Sequence, residues 1–293
     1  MPSQPSPPPS PHPLPAPETE AGRAGLAALR AAPKRAVLAL DFDGTLAPIV
    51  ADPRDARAHP EAAAALARLA PRLAGIAVIT GRPAADAVTY GAFDGAAGLE
   101  GLTVLGAYGA ERWNAADRTV RAPEPPAGVA AVRAELPALL TKLGAPDGTW
   151  TEDKGRALAV HTRRAAAPDE ALALLRAPLY ALAERHGLVV EPGRMVLELR
   201  PPGADKGAAL ADYVREKSAG AVVYAGDDLG DLPAYETVTA LRDAGVPGLL
   251  LYSAPETGDE TVPRLAERAD VTVRGPAGLV AWLRALADAL DAR

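Results

Sequence analysis

The chain contains no cysteine, which excludes a disulfide framework, thiolate metal sites and cysteine nucleophiles. It has no apolar run near the ~18 residues that a membrane-spanning helix needs, and its opening segment lacks the apolar stretch of a secretory signal. A cytoplasmic protein with no membrane partner is therefore expected. Positive charge is also short: 31 Lys and Arg stand against 37 Asp and Glu, a formal net charge of −6. That balance argues against general nucleic-acid binding, and an anionic substrate would need a pocket that supplies its own cations. With 48% apolar residues over 293 positions, burying a full core is not in doubt, in one large unit or two modest ones.

Proline is plentiful, and it crowds the N-terminus. Residues 1–20 read as a disordered, proline-rich leader, with docking of a partner through a polyproline helix as the other reading. Beyond it, short apolar runs recur at 36–40, 76–80, 102–105, 221–225, 248–252 and 271–273, the first four ending in or followed by Gly, Asp or Thr. Stretches with helical spacing lie between them, at 59–73, 206–216 and 232–244. This alternation predicts an α/β fold, a doubly wound parallel sheet with strands buried on both faces and ligands bound at their carboxyl ends.

The middle of the chain has a different rhythm. Segments 150–153, 157–163, 188–191 and 195–200 alternate apolar with polar residues, which fits an antiparallel sheet with one polar face. The expected organisation is a leader over 1–20, a core over 34–120 and 200–293, and an inserted smaller α+β cap domain over 121–199. Pro123, Pro125 and Pro126 at one junction and Pro201-Pro202-Gly203 at the other are candidate linkers.

The chemistry starts at Asp41-Phe42-Asp43-Gly44-Thr45, directly after the first apolar run. A carboxylate is already ionised at neutral pH, so Asp41 can attack phosphorus without an activating base. Asp43 can then act as acid and afterwards as base. Gly44 permits a turn close to a phosphate, with the N–H groups of the turn, Thr45 included, facing its oxygens. Thr80-Gly81-Arg82 follows another run and offers a hydroxyl and loop N–H groups to phosphate, though a plain strand-to-helix turn accounts for it equally well. Lys206 opens a helix and can neutralise both Asp41 and a phosphate; a solvated surface lysine is the plainer reading.

Gly226-Asp227-Asp228-Leu229-Gly230-Asp231 places three carboxylates within five positions. Crowded acids call for a cation. Mg2+ takes oxygen ligands from one or two carboxylates, so Asp41, Asp43 through its backbone carbonyl, and Asp227 form the expected set. Asp228 is placed next, with Asp231, orienting Lys206 or metal-bound waters; an acidic helix cap is the structural alternative.

These four motifs, Asp41 to Thr45, Thr80, Lys206 and Gly226 to Asp228, resemble those of the haloacid-dehalogenase-like phosphatases. The resemblance implies a Rossmann-like core, a catalytic Mg2+, and Asp41 and Asp43 in the roles above. The insert narrows it: Glu152-Asp153-Lys154-Gly155, His161, Arg163, and the run 191–201 are similar to the cap of trehalose-6-phosphate phosphatases. Gly81-Arg82 and the run 106–111 resemble core loops of the same family. By implication Lys154, His161, Arg163, Arg194 and Glu198 face the sugar, and Gly81 and Arg82 join the substrate site. The family pattern is not complete, since Gly230-Asp231-Leu232 stands where Thr-Asp-Glu is common and Tyr108 where a His is common. The function the resemblance implies is Mg2+-dependent hydrolysis of a small-molecule sugar phosphate, trehalose 6-phosphate, to trehalose and phosphate through an aspartyl-phosphate on Asp41, by a monomer. Another capped sugar phosphatase (for sucrose phosphate or mannosyl phosphoglycerate), a phosphomutase and a sugar-phosphate sensor remain alternatives.

Overall fold

The structure, a computed structural model, describes residues 14–50, 52–193, 195–256 and 261–292. The strands in chain order are β1 (Ala36–Leu40), β2 (Gly75–Ile79), β3 (Leu102–Gly106), β4 (Glu111–Asn114), β5 (Thr119–Arg121), β6 (Trp150–Asp153), β7 (Leu158–His161), β8 (Val189–Gly193), β9 (Val196–Arg200), β10 (Ala221–Gly226), β11 (Gly248–Ala254) and β12 (Val271–Arg274). The helices are α1 (Glu20–Ala31), α2 (Ala62–Leu69), α3 (Ala84–Tyr90), α4 (Ala127–Lys142), α5 (Pro168–Arg185), α6 (Lys206–Glu216), α7 (Leu232–Asp243), α8 (Pro263–Ala266) and α9 (Gly275–Asp291). No described helix is long and apolar enough to cross a membrane.

Eight strands form one sheet in the order β12-β11-β10-β1-β2-β3-β4-β5. The six apolar runs supply its parallel part, β12 through β3. β1 explains the pattern. Its alternate residues Ala36, Leu38 and Leu40 pack under α1, α2, α3 and α9, while Val37 and Ala39 pack under α6 and α7. A strand covered on both faces needs apolar residues at every position, so no alternation is left to see. From β1 the crossovers run one way to β2 and the other way to β10, which opens a crevice at the strand ends between them.

The sheet is not wholly parallel. β4 and β5 add an antiparallel edge, which the sequence pattern missed because all three residues of β5 are exposed and β4 is only four residues long. Structure within the described residues also begins before the expected core. The first thirteen leader residues lie outside the described ones, but Leu14 packs on the core and Pro17 is buried. Thr19 caps α1, accepting from Gly22 N, and α1 lies on β10 and β11.

The second sheet runs β6-β7-β9-β8, antiparallel throughout. Here strand alternation sorts the two faces. Leu158, Val160, Leu197 and Leu199 point into a separate cluster with Val129, Val132 and Leu136 of α4 and Leu175, Leu179 and Leu182 of α5. The opposite face carries Glu152, Ala159, Glu198 and Glu191 in one cross-strand row, and Trp150, His161, Val196 and Gly193 in the next. That polar face looks towards the crevice of the large sheet.

Candidate active site

Three strand ends deliver the central groups. Asp41 follows β1, and its backbone N–H donates to Ala225 O of β10 at 2.9 Å, which seats it at the switch point. Asp227 follows β10, and Thr80 follows β2. Lys206 is the first residue of α6, whose start is fixed by Asp205 accepting from Ala208 N at 2.8 Å. From there the Lys206 ammonium reaches Asp41 Oδ1 at 2.8 Å and Asp231 Oδ1 at 2.7 Å.

Asp231 is wholly buried and acts as the hub. Its Oδ1 also accepts from Tyr224 OH at 2.6 Å, and its Oδ2 from Asp227 N at 2.9 Å and Asp228 N at 3.2 Å. Four donors on two oxygens keep the 227–231 turn and the lysine in one geometry. Burial by itself would lower the Lys206 pKa, but Asp231 and Asp41 outweigh it and hold the ammonium well above the usual lysine range. Burial pushes the Asp41 carboxyl well above the ordinary carboxylate range; Lys206 opposes this, while Asp231 and Asp228 add to it. Asp227 is raised in the same way, by burial first and then by Asp228, Asp41 and Asp231.

A site with more carboxylates than one lysine can offset fits a hard cation. Oxygens of Asp41, Asp227 and Asp231 all lie within 4.8 Å of one another. Since both Asp231 oxygens are taken by the four donors, Asp41 and Asp227 are the pair with ligand capacity to spare, and an all-oxygen set of this kind suits Mg2+ or a similar ion. The expected ligands are thus sorted by the fold. Asp228 is exposed, its Oδ1 accepts from Gly230 N at 2.9 Å, and it lines the cleft between the two sheets. The Asp43 carboxylate is turned away, onto Arg82, with Arg82 Nε to Oδ2 and Nη2 to Oδ1 both at 2.6 Å.

Gly44 and Thr45, expected at the substrate, lie against Asp227. Gly44 has φ +72°, and a Cβ there would lie 1.9 Å from Asp227 Oδ2. Its carbonyl accepts from Ser253 Oγ at 2.7 Å, and Thr45 Oγ1 lies 3.4 Å from Asp227 Oδ1. Ser253 belongs to β11 and carries no motif, so sequence reasoning had no signal for it.

Between the two sheets lies an open cleft of 220 Å³. Asp41, Asp43, Thr80, Gly81, Arg82 and Lys206 line its core side, and Lys154, His161, Arg163 and Glu198 its cap side. Arg194 lies outside the described residues. Lys154, just past β6, and Glu198 of β9 form an ion pair that also faces the cleft. His161 Nε2 donates to Glu152 Oε2 at 2.9 Å, and the imidazole stacks on Trp150 with centroids 4.0 Å apart. Arg164 covers the Trp150 ring at 5.0 Å and pairs with Asp52 of the core loop at 2.8 Å, tying cap to core at the mouth of the cleft. Glu152 stood in the sequence only as part of the cap run that carries the resemblance, and Trp150, Asp52 and Arg164 had no standing beyond a strand pattern and scattered charge.

A family model described as trehalose-phosphatase matches residues 39–255. The trehalose-phosphate phosphatase of Mycobacterium avium is 34% identical over 258 residues, 86% of this chain and 62% of that protein. The corresponding protein of Mycobacterium marinum is 36% identical over 213 residues, 70% of this chain and 52% of its own length. The chain thus spans between half and two thirds of these curated relatives. Among solved structures, the C-terminal domain of Candida albicans trehalose-6-phosphate phosphatase matches with a TM-score of 0.71 at 18% identity, covering 94% of this chain and 99% of that one. The C-terminal domain of a trehalose synthase regulatory protein from the same organism matches with a TM-score of 0.62 at 13% identity, over 86% of this chain and 94% of that one. At such identities the structural matches establish the fold.

Proposed function

The chain belongs to the trehalose-phosphatase family, and from that premise we propose that it hydrolyses trehalose 6-phosphate to trehalose and phosphate, with Mg2+, through a phosphorylated Asp41. The observation that carries this reading is the pairing of Asp41 with Lys206 at the floor of a cleft roofed by a polar strand face, with an Asp227 oxygen within 4.8 Å of Asp41.

Asp41 lends one oxygen to Lys206 and keeps the other for the phosphorus. Its attack forms a carboxylate O–P bond as the P–O bond to the sugar breaks in line. Asp43 gives a proton to the departing sugar oxygen. Water then cleaves the acyl phosphate, with Asp43 taking its proton, and phosphate leaves Asp41 free again. Thr80 and Lys206 hold the phosphoryl oxygens throughout. Asp41 and Asp227, with the Asp43 carbonyl, would hold Mg2+, which would supply positive charge to offset the repulsion between carboxylate and phosphate. Lys154, His161, Arg163, Arg194 and Glu198 are the proposed sugar contacts. A disaccharide presents many hydroxyls and little charge, so it is told apart by a fixed ring of donors and acceptors, and a closed cap keeps water from the intermediate until the sugar has left. The protein is proposed to act as a cytoplasmic monomer.

The test is phosphate release from trehalose 6-phosphate, sucrose 6-phosphate and glucose 6-phosphate, with Mg2+ and with a chelator. Preference for the first, lost on chelation and in Asp41→Asn, is expected. Turnover near wild type in that variant would remove Asp41 as the nucleophile, and preference for another sugar would overturn the substrate.

A further inference from the structure

We propose that Arg82 is a positioning residue for Asp43 and not a holder of substrate, an inference that rests on the phosphatase reading above. Asp43 is one-third exposed and sits on a turn. Among the described residues its carboxylate has hydrogen bonds from Arg82 only, through Nε and Nη2, at 2.6 Å each. A two-pronged contact fixes the plane of a carboxylate as well as its place, which a single bond cannot do.

Arg82 in turn is held from every side. Its backbone N–H donates to Thr80 Oγ1 at 3.1 Å, and its carbonyl accepts from Ala107 N at 2.8 Å. Two residues on, Glu111 of β4 accepts from Ala84 N at 2.7 Å and pins the start of α3. The Arg82 side chain is 9% exposed, and the rings of Phe42 at 5.6 Å and Tyr90 at 5.2 Å lie against its guanidinium. A buried, doubly bonded fork on a braced loop is a rigid support. The two nitrogens committed to Asp43 are not available to a phosphate lying over Asp41, Thr80 and Lys206.

The role follows from what Asp43 must do. A group that delivers a proton to one oxygen and later takes one from water has to point along the same line twice, and a displacement of about 1 Å can cost about 10²-fold. With Arg82 gone, the Asp43 side chain is free to turn into solvent. The sugar and phosphate contacts of Lys206, Thr80 and the cap stay as they were.

The experiment compares wild type with Arg82→Ala and Arg82→Lys, using trehalose 6-phosphate and, in parallel, p-nitrophenyl phosphate. Both variants are expected to lose about 10- to 100-fold in kcat with KM within about twofold, since a lysine keeps the charge but not the fork. Guanidinium ion added to Arg82→Ala is expected to restore part of the lost kcat, and ammonium ion to restore none. A rise in KM at unchanged kcat would make Arg82 a substrate ligand and overturn the proposal, as would wild-type kinetics in both variants. Should Arg82→Ala fail to fold, Arg82→Lys still decides the matter through its kcat and KM. Wild-type enzyme that cleaves p-nitrophenyl phosphate but not trehalose 6-phosphate would refute the substrate alone, and the Arg82 comparison would then stand on the former.

Discussion

Replacing Asp231 with Asn tests the frame of the site most sharply, because the change is nearly isosteric and the consequence is read from donors alone. Oδ1 accepts from Lys206 and Tyr224, and Oδ2 from the N–H groups of Asp227 and Asp228. An amide has one oxygen and one NH2. Whichever way it turns, two of the four donors face two more, and Lys206 loses one of its two carboxylates in a place from which water is excluded. Breaking a buried pair costs about 3–5 kcal/mol, and the stranded donors are the source of much of it. For a chain of this size that is a fall in Tm on the order of 10 °C. Tyr224→Phe is the control: it removes one donor and leaves no opposed pair, so a loss of about 1 kcal/mol is expected. Thermal unfolding followed by circular dichroism provides the readout. Asp231→Asn within about 2 °C of wild type would refute the hub, since no arrangement of the amide satisfies those partners.

Two further outcomes follow from the same geometry. Gly44→Ala puts a Cβ 1.9 Å from Asp227 Oδ2 at φ +72°, so beyond the ~1–2 kcal/mol of left-handed strain it must displace Asp227, the proposed cation ligand. The Mg2+ concentration for half-maximal activity should rise about tenfold or more, and an unchanged titration would contradict the cradle. The second concerns pH. Asp41 and Asp227 both have folded values raised above the ordinary 3.8, so in metal-free protein the stability they contribute is full below that pH and is lost as pH rises through the raised values. A cation that competes with protons for these carboxylates restores it, and the gain in Tm on adding Mg2+ should grow as pH rises above the ordinary carboxylate range. Scans at several pH values check this, and a gain that is flat across them would count against Asp41 and Asp227 as ligands.

The amino-acid sequence by itself determined whatever depends on neighbours along the chain. β1 falls at Ala36–Leu40 as its apolar run requires, because a strand covered on both faces must be apolar throughout. The cap strands show their two faces by alternation, and α6 begins at Lys206 because Asp205 caps it. The carboxylate pair two residues apart, the glycine beside it and the family motifs were legible for the same reason. Tertiary structure decided what depends on residues far apart in the chain: Asp43 with Arg82, Asp231 with Lys206, Ser253 with Gly44, and Arg164 with Asp52. It also decided which aspartates face one another, since Asp227, Asp228 and Asp231 look alike in a string of letters. The turn after β10 aims the first at Asp41, leaves the second at the surface and buries the third among donors. Periodicity records which face of an element is buried, but a partner 25 or 209 residues away is chosen only when the strands are laid side by side.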